Sequence, residues 1–249
     1  MFDLGYADSA VCISKKVSPR FRDLIKLTIA EISQILELRN GPTSPRATYA
    51  IPGGDPPALQ TIQSNPACLV PVRELLGFDL PDAQICDSLL GTYFSTVHWF
   101  TLVIYEPTFR ARYQQITSLA YASRSDFGFL LLLLMVLALG CKYGSEPGPD
   151  ILDNGVDLNR LHDLFLDKVR DQFMDIMDEE SLEYVQLSTL LGSFYLYHGR
   201  PRSAFSILGA AIKTAQAMGL HRDDHLNLSD DLMEERKRVW WTLYTTDRY

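Results

Sequence analysis

The chain has 249 residues, 47% of them hydrophobic and 22% charged, an ordinary balance for a soluble globular protein with room for a substantial core. Lys and Arg number 23 against 31 Asp and Glu, giving a net charge of -8. Such a surface repels a phosphate backbone on average, and no local basic patch is strong enough to reverse that, which argues against direct DNA binding.

The four cysteines, Cys12, Cys68, Cys86 and Cys141, are far apart. None has the close spacing that lets neighbouring thiolates share a zinc ion, so burial as small apolar residues is expected of each. The opening MFDLGYADSA carries an early Asp3 and no sustained apolar run, unlike a secretory leader.

In chain order, residues 1–40 centre on an amphipathic helix in which Phe21, Leu24, Ile25, Thr28, Ile32, Ile35 and Leu36 recur at three- and four-residue steps. Asn40-Gly41-Pro42 stops it. A short coiled coil, and with it a dimer, is the alternative, but only about two to three heptads fit, too few to favour it, and packing on the main domain is expected. Residues 41–81 form a Pro- and Gly-rich linker, including Gly53-Gly54, with one short helix expected at Val72 to Leu76.

From residue 82 the pattern is helical. Asp82 is placed to cap a helix carrying Ile85, Leu89, Leu90, Tyr93, Phe94 and Val97. Glu106-Pro107-Thr108 interrupts it, and Thr108 is expected to cap a helix starting at Phe109. Phe127 to Tyr143 is apolar all round; its apolar run of fourteen residues to Gly140 is short for the roughly 20 a membrane span needs, so a buried core helix is expected and no membrane role. After the Gly144 to Pro149 break, one amphipathic helix from Asp157 to Met177 is expected, with Leu158, Leu161, Leu164, Phe165, Val169, Phe173 and Ile176 on one side.

A bulky apolar helix from Ser181 to His198-Gly199 then leads into a small-residue helix opened by Pro201 and Ser203 and stopped by Gly219, with Gly209, Ala210 and Ala211 allowing a close neighbour. This is an αα-hairpin, the unit that helical-repeat proteins stack. Strict alternation of β-branched residues is missing, so strands are not expected. The fold class is therefore all-α: antiparallel helical hairpins packed into an irregular superhelical domain, preceded by a Pro-rich linker.

Three blocks carry a family resemblance. Tyr93-Phe94 with Glu106-Pro107-Thr108-Phe109, the helix ending in Gly219-Leu220-His221-Arg222, and the helix with Trp240-Trp241 and Asp247-Arg248 resemble, in order and spacing, the fungal-specific transcription factor domain. That is the middle homology region of fungal binuclear zinc-cluster regulators. The resemblance runs from about Leu80 to the C-terminus, and the family pattern continues past Tyr249 into a Gly-Arg-Pro motif, so a domain truncated at its C-terminus is expected. It implies a non-catalytic regulatory domain in the nucleus that controls transcription by RNA polymerase II. DNA would be reached only through the zinc-cluster module, absent here, and zinc belongs to that module; no cofactor is expected in this chain. Protein partners or a small-molecule inducer are the expected ligands. A free-standing helical adaptor, a cluster-less regulator that titrates partners, and a helical enzyme are the alternatives.

Candidate sites are few. His221 and His225 have the i, i+4 spacing of zinc ligands, but Gly219 should already have ended the helix and no third ligand follows. No nucleophile elbow or phosphate loop occurs. Arg236, Lys237 and Arg238 follow Glu234 and Glu235, so a salt-bridged helix face is expected. Tyr93, His98, Trp99, Tyr195, Tyr197, His198 and Trp241 are the expected lining of a groove between helices.

Overall fold

The structure, a computed structural model, describes residues 69–144, 157–222 and 228–247. The expected helix within 1–40, the linker up to residue 68, Cys12, Cys68, His225 and Arg248 lie outside the described residues.

Secondary structure follows the chain as β1 (Leu69–Pro71), α1 (Val72–Leu76), α2 (Ala83–Thr96), α3 (Glu106–Leu119), β2 (Tyr121–Ser123), α4 (Phe127–Tyr143), α5 (Leu158–Asp171), α6 (Phe173–Met177), α7 (Leu182–Tyr197), α8 (Pro201–Ala217) and α9 (Asp230–Asp247). The class is all-α.

The architecture is organised by α4. Every side chain from Phe129 to Leu139, and Cys141, is buried, so this helix has no solvent face. It is the one helix among the described residues long and apolar enough to cross a membrane, and most of it is enclosed by other helices. A 3-10 turn, Arg124–Asp126, leads into it and carries a reciprocal cap: Ser123 N–H donates to Asp126 Oδ2 at 3.0 Å, and the Ser123 side chain accepts from Ser125 N.

Helices α2, α5 and α7 cover α4 on separate sides. Helix α2 brings Ile85, Cys86, Leu89 and Leu90, and its backbone comes so near that a Cβ on Gly140 would overlap the Leu89 carbonyl. Asp82 precedes α2 without a side-chain capping bond. On α5, Asp157 Oδ1 accepts from Asn159 N and Arg160 N at 3.0 and 3.1 Å, and Leu158, Phe165, Leu166 and Val169 face inward. His162 Nδ1 donates to the Ala138 carbonyl at 2.8 Å, tying α5 to α4.

The expected single helix from Asp157 to Met177 is interrupted at Gln172 (φ -101, ψ 3), which lets α6 turn Phe173 and Ile176 into the core. Leu164 does not share the apolar face expected for it. It lies 44% exposed, on the side of α5 opposite Phe165, Leu166 and Val169.

Helices α7 and α8 form the expected antiparallel hairpin around His198–Arg200, with Gly199 at φ 73. Helix α7 is buried from Tyr184 to Tyr195. The close approach lies on α7, where a Cβ on Gly192 would meet Leu208 at 2.6 Å, while Gly209 faces open space. Ala204, Ala211 and Ala215 form the buried stripe of α8.

The expectation of no strands is corrected by a two-stranded antiparallel sheet, Leu69–Pro71 against Tyr121–Ser123, with Val70 opposite Ala122. Three-residue strands are too short for alternation to register. Ala120 at φ 55 ends α3 and turns the chain into β2. The short helix expected at Val72 to Leu76 is present as α1, β1 precedes it, and Val72 and Leu76 are buried in the common core.

Two glycine substitutions should therefore move stability in opposite directions. Gly140→Val forces α2 off α4 and is expected to cost about 2–3 kcal/mol. Gly209→Ala meets nothing and should gain roughly 0.5–1 kcal/mol from helix propensity. Urea midpoints of the two variants against the parent chain measure both.

Candidate functional site

The three sequence blocks meet on α9. The connection from Val97 to Tyr105 crosses the end of α2 and buries Thr101, Val103 and Ile104. Helix α3 then starts at Glu106 with Pro107 in its first turn, three residues earlier than a Thr108 cap would give, because Pro tolerates a position that needs no amide donor. Thr108 lies inside that turn, and its hydroxyl is 3.0 Å from the Tyr105 carbonyl.

Around this start, Tyr93 and Phe94 sit in the last turns of α2. Phe94 packs edge-on to Phe109 at 6.0 Å, and the Arg110 guanidinium covers the Phe94 ring at 4.7 Å. Arg110 Nε donates to Glu106 at 2.6 Å. From α9, Arg238 lies over the Tyr105 ring at 5.2 Å and pairs with Glu234 at 2.7 Å, the i, i+4 bridge expected from sequence.

The second block reaches α9 from the other side. Gly219 at φ 69 ends α8 and sends Leu220 into the core. Arg236 Nη2 donates to the Met218 carbonyl at 3.0 Å, and the His221 ring lies 5.6 Å from Trp240. Trp240 packs against the core and Trp241 is 42% exposed, the split expected of adjacent helical residues. Asp247 is the exposed last residue of α9.

Between these contacts lies a polar core that periodicity alone does not reveal. Gln186 Nε2, buried on α7, donates to the Val103 carbonyl at 3.2 Å and to Glu235 Oε1 on α9 at 2.9 Å. Thr108 Oγ1 is 3.5 Å from the other Glu235 oxygen. Nearby, Arg112 of α3 pairs with Asp126 at 2.8 Å and Glu183 at 2.5 Å while covering Phe129. Burial alone would lower the Arg112 pKa, but Glu183 and Asp126 outweigh it and hold it above the ordinary arginine value. Burial pushes the Glu235 carboxyl upward, with the Gln186 hydrogen bond opposing.

The expected groove residues fall into separate groups. His98 contacts Tyr93 and Phe94 at 6.1 and 5.1 Å, and Tyr93 is fully buried. Trp99, Phe100 and Tyr197 form a ring chain with centroid steps of 5.9 and 5.3 Å. His198 stacks on Phe194 at 4.0 Å, and Tyr195 accepts from Arg170 under the Arg200 guanidinium. Trp241 is apart from these, against Tyr244. His98 Nδ1 and Trp99 Nε1 are buried with no hydrogen-bond partner among the described residues. Burial pushes His98 down to about 4, so it is neutral near pH 7. Cys86 and Cys141 are buried free thiols, each pushed up to about 12 mainly by burial, and therefore poor nucleophiles. Among the described residues, no three His, Cys, Asp or Glu side chains converge as metal ligands would.

Residues 90–249 match the model of the fungal specific transcription factor domain. The chain belongs to this family. Its relatives include the thiamine repressible genes regulatory protein thi1 of Schizosaccharomyces pombe, 27% identical over 78% of this chain and 24% of that protein. Transcription factor opdR of Penicillium oxalicum is 27% identical over 70% of this chain and 21% of its own length. Cutinase transcription factor 1 alpha of Fusarium vanettenii is 27% identical over 69% and 18%. The chain thus spans about a quarter or less of the length of these relatives. No solved structure matches it. The family match begins at Leu90, midway along α2, although β1, α1 and the first turns of α2 share the same core.

Two groups in this fungal domain give its stability a pH signature. His98 has a lowered folded pKa, so its contribution is present above about pH 6.5 and is lost as pH falls through about 4. Relative to His98→Phe, the parent chain should lose on the order of 2 kcal/mol across that interval. Glu235 has a raised folded pKa, so its contribution is present below the ordinary glutamate value and is lost as pH rises through the folded value. Glu235→Gln should therefore gain stability over the parent as pH rises to 7. Denaturant melts at a series of pH values separate the two slopes.

Proposed function

We propose that this chain is the non-catalytic regulatory domain of a fungal transcription regulator, acting in the nucleus on transcription by RNA polymerase II. The supporting observation is that the family's three sequence blocks close on one another through α9. Helix α9 contacts the Tyr105 region through Arg238, the α8 terminus through Arg236 and α7 through Glu235. Contacts on three sides make α9 the element whose position would have to change if the domain is to relay a signal between these regions. DNA contact would come from a module outside this domain.

The input belongs at the aromatic end of α7. His98, Trp99 and Tyr197 are partly exposed there, and the linked rings of Trp99, Phe100 and Tyr197 would give a small-molecule inducer or a protein partner an aromatic surface. Tyr195 and His198 border this end, while Tyr93 supports it from the core.

Fused to a heterologous DNA-binding domain in fungal cells, the chain should accumulate in the nucleus and change the output of a cognate reporter several-fold. Trp99→Ala should alter that output at unchanged protein level. A fusion as inert as the DNA-binding domain alone would remove this reading.

A further inference from the structure

The outer face of α5 and α6 exposes acidic and apolar side chains together. Asp163, Leu164 and Asp167 follow one another along the exposed stripe of α5, and Asp171 ends that helix in line with them. Met174 and Asp175 continue the exposed surface onto α6. Leu164 is 44% exposed and Met174 66%, the highest exposure of any large apolar residue described. The ridge is thus acidic with apolar positions within it. Arg160, Lys168 and Arg170 are the bases on these two helices; Arg170 is shared between Asp167, at 3.0 Å, and the Tyr195 hydroxyl.

We infer that this ridge is the docking surface for residues 15–26 of the same chain. That segment reads KKVSPRFRDLIK: five bases, Lys15, Lys16, Arg20, Arg22 and Lys26, against the single acid Asp23, interleaved with Val17, Phe21, Leu24 and Ile25. In a chain of net charge -8 it is locally basic, and its apolar side chains would cover the exposed Leu164 and Met174 of the ridge. Charge sets the partner and register, and the apolar pair supplies area removed from water.

The path is short. The chain enters the described domain at Leu69, and α1 ends beside the ridge helix, where Phe78 stacks on Phe165 at 6.1 Å and a Cβ on Gly77 would lie 4.0 Å from Lys168 Nζ. Residues 27–68 separate the segment from this entry, which is enough chain to reach the ridge. The tether holds the two surfaces at a high effective concentration, so individually weak, exposed ion pairs suffice.

Zero-length carbodiimide cross-linking of the full chain, mapped by mass spectrometry, tests the docking. The expected products join Lys15, Lys16 or Lys26 to Asp163, Asp167, Asp171 or Asp175, and they fade at about 0.5 M salt, where the screening length is a few ångströms. The triple variant Asp163→Lys, Asp167→Lys, Asp171→Lys alters exposed positions only and should keep the parent's circular dichroism melt. Tryptic cleavage after Lys15, Lys16 and Arg20 should become several-fold faster in it. The reciprocal variant Lys15→Glu, Lys16→Glu, Arg22→Glu, which leaves the ridge intact, should lose the Lys26 cross-link. Cross-links from the segment to other parts of the chain, or unchanged cleavage in the triple variant, would overturn the docking. Cross-links formed only between differently isotope-labelled chains would replace it with a second copy on the ridge.

Discussion

The constraint on which the fold rests is the absence of a polar face on α4. A helix apolar on every side is stable in water only when neighbours surround it, and each fully buried leucine contributes about 2 kcal/mol to that enclosure. Seven leucines of α4 are fully or almost fully buried, so α2, α5 and α7 are required as covers, not additions to a finished core. The covers must also come close. Gly140 lets α2 approach within backbone contact, and His162 satisfies the Ala138 carbonyl from α5, so the enclosure leaves that polar backbone group paired.

Because α7 is one of those covers and is itself buried, a polar side chain on it that finds no internal partner carries a cost, as the Ser193 hydroxyl does among the described residues, while two others are paired. Thr189 bonds back to the Val185 carbonyl in its own helix. Gln186 cannot do so from its position and reaches outward to Val103 and Glu235. This one amide therefore ties both the Val97–Tyr105 connection and α9 to the hairpin. Packing would tolerate a slide of α9 along α7 far better than a buried glutamine would tolerate losing both acceptors. Specific placement of α9 thus comes from a few polar contacts on an apolar scaffold.

Much of this was legible in the sequence, for identifiable reasons. The helix Phe127–Tyr143 is stopped at Gly144, and the α7–α8 hairpin is bounded by Ser181, Gly199, Pro201 and Gly219, residues whose backbone chemistry favours helix starts and stops. The kink at Gln172 was not legible, since no Pro or Gly marks it and only the burial of Phe173 and Ile176 requires it. The sheet was missed because three-residue strands give no periodic signal. Leu164 was assigned to the core by spacing alone, though its helical position beside Asp163 and Asp167 puts it on their side. The polar junction was missed because Gln186 lies in an apolar run and Glu235 in a charged one; each is ordinary locally, and their pairing depends on how two distant helices pack.

Histidine 98 and Glu235 show what that packing does to chemistry. Both are held where ionisation is disfavoured, one with its pKa lowered and the other with its pKa raised, and both border the short connection between α2 and α3. Burial is the first cause in each case, so the shifts report a water-poor junction and not a particular charge pair. A junction of that kind is stable only while α9 keeps solvent out. A ligand, partner or segment that draws α9 aside would rehydrate Glu235, so the protonation of that carboxyl is coupled to the position of this helix.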